Sequence, residues 1–261
     1  MPSGTSAPPT AHATGAIPPL AAVFALDAAP ALAAMAHGDA RVALFEVRDW
    51  TPWIAQAPAL LDAAEQARVA RRRRPADREN LALAYALHRL FLAAVLGLEP
   101  RDVPLERDGK GCPRLRGLDV GTSLSHADGF LAMAVCRAGP VGVDVEPAGR
   151  RALMEEIAGS LCHPHEAERL AGIGADRRAD ELLALWVRKE AFLKAEGVGL
   201  EREMAAFAAP DGAVLPLAGS RGVPVRLRML DAGPRARAAV AWPADGALSC
   251  AWLHPVAPGT A

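Results

Sequence analysis

An order of strand, helices and strands that runs twice through the chain limits its fold more than any other feature. Arg41 to Val47 reads as a strand, Pro58 to Arg73 as a helix, and Asp77 to Leu96 as a second helix with Leu81, Tyr85, His88, Leu92 and Val95 at helical spacing. Gly97 is placed to end that helix. Asp108 to Gly111 reads as a turn, and Thr122 to Ser125 and Phe130 to Arg137 as strands around a tight turn at Ala127-Asp128-Gly129. After Pro140 the order begins again. Val141 to Glu146 reads as a strand, helices follow near Arg151 to Gly159 and His165 to Ala171, and a long helix runs from Asp180 to Glu196, ended by Gly197 and Gly199. Strands are expected near Glu203 to Phe207, Val223 to Met229, Ala236 to Trp242 and Leu248 to Leu253. The fold class this predicts is α+β, with two similar α/β halves over 41–140 and 141–255.

Composition narrows the function. The chain has 261 residues, 51% of them hydrophobic, enough for a packed core. Its formal net charge of −1 gives no overall electrostatic footprint for nucleic acid. The cysteines at 112, 136, 162 and 250 form no C-x-x-C pair, which speaks against a zinc ribbon or a disulfide framework and fits a reducing cytoplasm. Residues 1–40 read as a disordered or weakly structured extension: 1–20 are mostly Pro, Ala, Thr, Ser and Gly, and a short packed or frayed helix is expected within 20–36. No Lys or Arg precedes Arg41, and Pro18, Pro19, Asp27 and Pro30 interrupt the apolar stretch, so neither a signal sequence nor a membrane span is predicted. Of 29 basic residues only Lys110, Lys189 and Lys194 are lysines, which draws attention to all three.

In Val141-Gly142-Val143-Asp144-Val145-Glu146 the side chains alternate between faces. The valines share one face, facing the core. Asp144 and Glu146 share the other, roughly 7 Å apart along the strand, beside Gly142, which is expected to leave room for a ligand. Two carboxylates so placed repel unless a cation or proton lies between them, and all-oxygen ligands suit Mg²⁺, Mn²⁺ or Ca²⁺. A solvent-facing acidic strand fits the pattern equally well.

In Leu185-Trp186-Val187-Arg188-Lys189-Glu190-Ala191-Phe192-Leu193-Lys194, Trp186, Glu190 and Lys194 fall on one helical face, and Lys189 falls inside an apolar stripe, where it snorkels to water or meets an anion. Glu190 and Lys194 alone read equally as a surface ion pair. Ser125 and His126 end a strand at a turn suited to phosphate; neighbours on a strand point apart, so they form no catalytic dyad. Arg68, Arg71 to Arg74 and Arg78 fit a helix C-terminus, a nucleic-acid contact or one bound phosphate. Near-neutral charge and a single tyrosine disfavour the nucleic acid. The loop Asp108-Gly109-Lys110-Gly111 could join them, and His163-Pro164-His165-Glu166 reads as a helix start with Glu166 in the first turn.

Together these motifs resemble the 4′-phosphopantetheinyl transferases. The carriers are Gly142-x-Asp144-x-Glu146 and Trp186-x-x-Lys189-Glu190-Ala191-x-x-Lys194, with Ser123-Leu124-Ser125-His126 and the Asp108 to Pro113 loop upstream. Order and spacing cover about Arg41 to Leu253 and are similar to the Sfp-type, single-chain members with a pseudo-twofold fold. The resemblance implies transfer of the 4′-phosphopantetheine arm of coenzyme A to a serine of an acyl or peptidyl carrier protein, with Mg²⁺ (or Mn²⁺) and release of adenosine 3′,5′-bisphosphate. It implies Asp144, Glu146 and Glu190 as metal ligands in the second half, Glu190 also as candidate base, and Asp144, Glu190 and Lys194 as the catalytic set. Lys194 would contact the pyrophosphate, as would Lys189. Ser125 and His126 would meet the nucleotide end, and Arg68, the run to Arg74, Lys110 and Gly111 would hold the 3′-phosphate and adenine side. The loop departs from the family, with Cys112 where lysine precedes the proline; Lys110 is the candidate replacement. The carrier would belong to polyketide, non-ribosomal peptide or fatty-acid synthesis, and a cytoplasmic monomer without nucleic acid or membrane is expected. A Mg²⁺-dependent coenzyme A pyrophosphate hydrolase and a non-catalytic coenzyme A or carrier-binding protein are the alternatives.

Overall fold

A computed structural model describes residues 17–24, 32–109, 111–197, 202–218 and 222–256. The chain enters through a short helix, α1 (Leu20–Val23), followed by β1 (Ala40–Glu46), α2 (Val47–Trp50) and a 3-10 run over Thr51–Leu60. Leu20 and Val23 are buried in the first core, and Trp53 Nε1 donates to the Pro18 carbonyl, so this part of the N-terminal extension is packed.

The single helix expected over Pro58 to Arg73 is two elements. Pro58 lies in the 3-10 run, Leu61 is extended, and α3 (Ala63–Ala70) starts afresh. Its start is a capping box: Asp62 accepts from Glu65 N at 2.8 Å, and Glu65 Oε2 accepts from Asp62 N. Arg89, 1% exposed, bonds both carboxylates and the Pro100 and Val103 carbonyls, which ties α3 to α4 (Pro75–Leu96). Helix α4 has Pro75 at its first turn, where a missing N–H costs nothing, and ends on Gly97 at φ 68°. It is long and apolar enough to cross a membrane, but most of it is buried in the first core.

The hairpin β2 (Leu105–Arg107) and β3 (Pro113–Leu115) flanks the expected Asp108 to Gly111 turn. Next come β4 (Val120–Ala127), β5 (Phe130–Arg137), β6 (Gly142–Pro147), α5 (Met154–Leu161), α6 (Pro164–Ala171) and α7 (Ala175–Glu196). The expected start of α6 is present, with His163 and Glu166 forming its capping box. The chain closes with β7 (Val214–Pro216), β8 (Pro224–Leu230), β9 (Ala236–Pro243) and β10 (Leu248–Trp252). The strand expected over Glu203 to Phe207 is instead a 3-10 turn, Met204–Ala206. The reason is local: the Met204 and Phe207 carbonyls converge on one buried ammonium, that of Lys189, which an extended chain could not arrange.

The strands form two four-stranded sheets, ordered β10-β1-β5-β4 and β6-β9-β8-β7. The chain thus returns to the first half at its end, where β10 pairs in parallel with β1. Each half packs a 22-residue helix, α4 or α7, on the outer face of its sheet. The inner faces meet in a third core, where Val42, Leu44, Ala132 and Ala134 pack with Val143, Val145 and Val240. The result is an α+β arrangement in layers of helix, sheet, sheet and helix. The edge strands β4 and β6 are joined by side chains: Ser123 Oγ accepts from Val143 N at 3.1 Å, and Ser125 Oγ from Val145 N at 3.4 Å. Those hydroxyls satisfy amides that an open sheet edge would leave bare.

Gly142 does not leave room for a ligand; α7 fills that room. A Cβ there would lie 2.0 Å from the Ala191 carbonyl oxygen and 2.4 Å from Ala195 N. Gly142→Ala is therefore expected to cost about 1–3 kcal/mol and to push α7 off β6. An unchanged urea midpoint for this variant would contradict the close approach.

His88 lies wholly inside the first half. Thr122 Oγ1 donates to the Ala134 carbonyl, so the His88 Nε2, 3.0 Å away, is the donor to that hydroxyl. Burial, then the charges of Arg107 and Arg89, push its pKa from the ordinary 6.5 to about 3. The unfolded chain thus takes up a proton between those values that the folded protein refuses. Stability from this residue is intact above pH 6.5 and falls as pH drops toward 3. Between pH 7 and 5 the urea midpoint of the wild type is expected to fall more steeply than that of His88→Gln.

Candidate active site

The acidic face of β6 lies against α7 and the end of β4. Asp144, 4% exposed, is held by two donors on one oxygen: Ser125 Oγ and Lys194 Nζ each lie 2.6 Å from Oδ1. Lys194 Nζ also reaches the Val143 carbonyl at 3.2 Å. Glu146 Oε1 accepts from Arg150 Nη1 at 2.7 Å, and the Arg150 guanidinium sits 5.6 Å from the centre of the Trp186 ring. The other oxygens, Asp144 Oδ2 and Glu146 Oε2, are buried and have no hydrogen-bond partner among the described residues. Burial and then the charge of Asp144 raise the Glu146 carboxyl above its usual range. The same two causes raise Glu190, with Lys194 opposing them. The three acids therefore feel one another.

Among the described residues no three His, Cys, Asp or Glu side chains converge as a ready-made metal cage. Lys194 and Arg150 take one oxygen each of Asp144 and Glu146. What remains fits a hard divalent cation all the same. Two buried carboxylate oxygens without partners are a costly arrangement for the protein alone. Mg²⁺ is commonly held by one or two carboxylates, with water and substrate phosphate completing its shell.

A cleft of about 600 Å³ opens beside these acids. It is bounded by Thr51 and Arg72, by Asp77 and Asn80 of α4, by the β4–β5 turn from His126 to Gly129, and by Glu146 and Arg150. Although His126 is exposed, the protein packed about its ring, then Lys194, Arg72 and Arg107, lower its pKa. Arg48, Arg72 and Arg150 line the cleft together with Asp77, Asp128 and Glu146. Arg107 lies over the Tyr85 ring, 4.4 Å from its centre, and donates to the Gly111 carbonyl. Gly111 has φ 86°, and a Cβ there would stand 3.6 Å from Arg68 Nη1. Arg74 is exposed at the start of α4. Lys110 lies outside the described residues.

Two expected ligand contacts are corrected. Lys189 is 0% exposed and cannot reach the cleft. Its ammonium donates at 2.8 Å to each of the Leu161, Met204 and Phe207 carbonyls and pairs with Glu166 at 2.6 Å. It is the anchor of the second core. Ser125, 6% exposed, spends its hydroxyl on Asp144 and Val145 and so positions a carboxylate instead of meeting a nucleotide. The sequence reading missed Arg150, although it stands four residues after Glu146 on the turn that follows β6. It also missed Arg107 and the role of Ser123. Nothing local marked Arg107, whereas the Ser-x-Ser spacing marked one face of β4.

Residues 140–222, which contain Asp144, Glu146, Glu190 and Lys194, match the family model of the 4′-phosphopantetheinyl transferase superfamily. The 4′-phosphopantetheinyl transferase HetI of Nostoc sp. is 29% identical over 148 residues, 55% of this chain and 62% of its own length. The 4′-phosphopantetheinyl transferase of Bacillus subtilis is 27% identical over 132 residues, 50% of this chain and 58% of its own. A phosphopantetheinyl transferase of Thraustochytrium sp. is 30% identical over 172 residues, 59% of each chain. The match thus spans about three fifths of the length of these relatives. The acidic strand, the lysine-bearing helix and the family match thus fall on the same residues, and over 140–222 the chain is similar to the 4′-phosphopantetheinyl transferase superfamily.

Proposed function

We propose that this protein moves the 4′-phosphopantetheine arm of coenzyme A onto a serine of an acyl or peptidyl carrier protein, with Mg²⁺ and release of adenosine 3′,5′-bisphosphate. The observation that carries the reading is the pair of buried, unpartnered oxygens of Asp144 and Glu146, with Lys194 bonded to Asp144 and a cleft lined by Glu146, Arg72 and Arg150 alongside. Asp144 and Glu146, with Glu190 beside them, would hold the metal, and Mg²⁺ there supplies charge neutralisation for a pyrophosphate.

The remaining work falls to side chains. Lys194, fixed by Asp144 and Val143, presents a positive charge to the pyrophosphate. Ser125 holds Asp144 in place. Glu190, with its proton affinity raised, is suited to take the proton of the attacking serine hydroxyl. His126 and Arg72 line the cleft where the 3′-phosphate would lie, and Arg68 and Arg107 add positive charge around Gly111. One chain supplies both sheets and the core between them, so a monomer is expected.

Intact mass of an apo carrier protein tests this. Incubation with the protein, coenzyme A and Mg²⁺ is expected to add about 340 Da on serine, and EDTA to prevent it. Consumption of coenzyme A without a mass gain would replace the reading with hydrolysis. His126→Ala is expected to raise KM for coenzyme A about tenfold or more and that for 3′-dephospho-coenzyme A far less. Equal losses for both would remove the 3′-phosphate contact.

A further inference from the structure

A second cavity, of about 440 Å³, lies between α6, α7 and the loop before β7. It shares no lining residue with the cleft at Glu146. Its walls carry His165 and Arg169 of α6, Glu181 and Arg188 of α7, and Asp211. Arg188 comes two residues before Glu190 and so projects roughly 200° round the helix from it. It is 4% exposed, yet it forms no ion pair with any described residue. Among the described residues its one hydrogen bond runs from Nε to the Ala209 carbonyl at 2.7 Å, which leaves both terminal nitrogens of the guanidinium without a partner there.

A buried guanidinium normally carries a carboxylate or phosphate on that two-pronged end. The nearby acids do not fill the place. Glu166 is held by Lys189 and Ala209 N, Asp211 Oδ1 accepts from Met229 N, and Glu181 leans toward Arg169 at 3.8 Å. These acids also make the pocket hostile to a doubly charged phosphate. They suit a ligand that brings one negative charge for Arg188 and one positive charge for themselves.

We propose that this cavity binds a small zwitterion, an α-amino acid, with its carboxylate on the Arg188 fork and its ammonium toward Glu181 and Asp211. The site stands apart from the transferase reading and is tested without reference to it. Calorimetric titration of the full-length protein with L-alanine, propionate and inorganic phosphate separates the chemistries. L-alanine is expected to bind with a Kd of about 1 mM or tighter, and propionate about tenfold more weakly. Phosphate is expected to give no signal. Arg188→Lys, which keeps the charge and loses the fork, is expected to weaken L-alanine at least about tenfold. Glu181→Gln, a change at a partly exposed residue, is expected to bring L-alanine down to the level of propionate while leaving propionate unchanged. Absence of L-alanine binding, phosphate binding as well as L-alanine, or unchanged L-alanine affinity in Arg188→Lys would each overturn the proposal. If Arg188→Lys does not fold, an unchanged preference for L-alanine in Glu181→Gln overturns it.

Discussion

Lys189→Met is expected to lose about 3–5 kcal/mol of unfolding free energy. The ammonium is wholly buried, pairs with Glu166 and satisfies the carbonyls that end α5 and shape the turn after α7. Methionine matches the stem in volume but makes none of these bonds, so the Glu166 carboxylate stays buried with only the His163 and Ala209 amides to hold its charge. Most of the loss is thus the cost of an uncompensated charge, and neutralising the partner should recover part of it. Lys189→Met combined with Glu166→Gln is expected to be more stable than Lys189→Met alone. Urea unfolding of the three proteins measures this. If Lys189→Met unfolds at the wild-type midpoint but raises KM for coenzyme A, the lysine contacts substrate after all and its burial has been misread.

Lys189 also shows where sequence reading stops. Its place inside an apolar stripe was legible, and so was the need for an acceptor. The acceptors were not, because Leu161 and Glu166 come from the junction of α5 and α6 and Met204 and Phe207 from the turn after α7, both remote in sequence from Lys189. The same limit explains Gly142. Alternation placed it on the acidic face of β6, but only the packing shows that the backbone of α7 covers it. Periodicity recovered the long helices and the main strands, since each depends on residues a few positions apart. It could not show that β10 crosses back to pair with β1, which depends on contacts more than two hundred residues distant. The capping box at Asp62 was a local signal in plain view, and its Asp-x-x-Glu spacing divides the long helix that was expected there. For the site, the acids and Lys194 were legible because each sits in a regular element, whereas Arg107 owes its place to the short β2–β3 hairpin.

Glu190→Gln should separate activity from stability. Transfer to a carrier protein is expected to fall by about 10²–10⁴-fold, while the urea midpoint stays level or rises. Glu190 is half-buried on α7, and the described residues offer it no hydrogen bond or ion pair. Burial and the charge of Asp144 make its ionised form costly in the folded protein. Glutamine removes that cost and keeps the shape, so the fold loses nothing. A carboxylate kept at a place where it destabilises the protein is what a working base or metal-binding group looks like. Asp144→Asn differs in a way that strengthens the comparison. It too should abolish transfer, but it takes the charged partner from Lys194 and so should also lower stability by about 1 kcal/mol or more. Loss of transfer in both variants with a lowered midpoint only in Asp144→Asn would assign Glu190 to the reaction and Asp144 to both reaction and fold. Full transfer by Glu190→Gln would remove it from the site, and with it the reading of α7 as the helix that brings the base to the acidic strand.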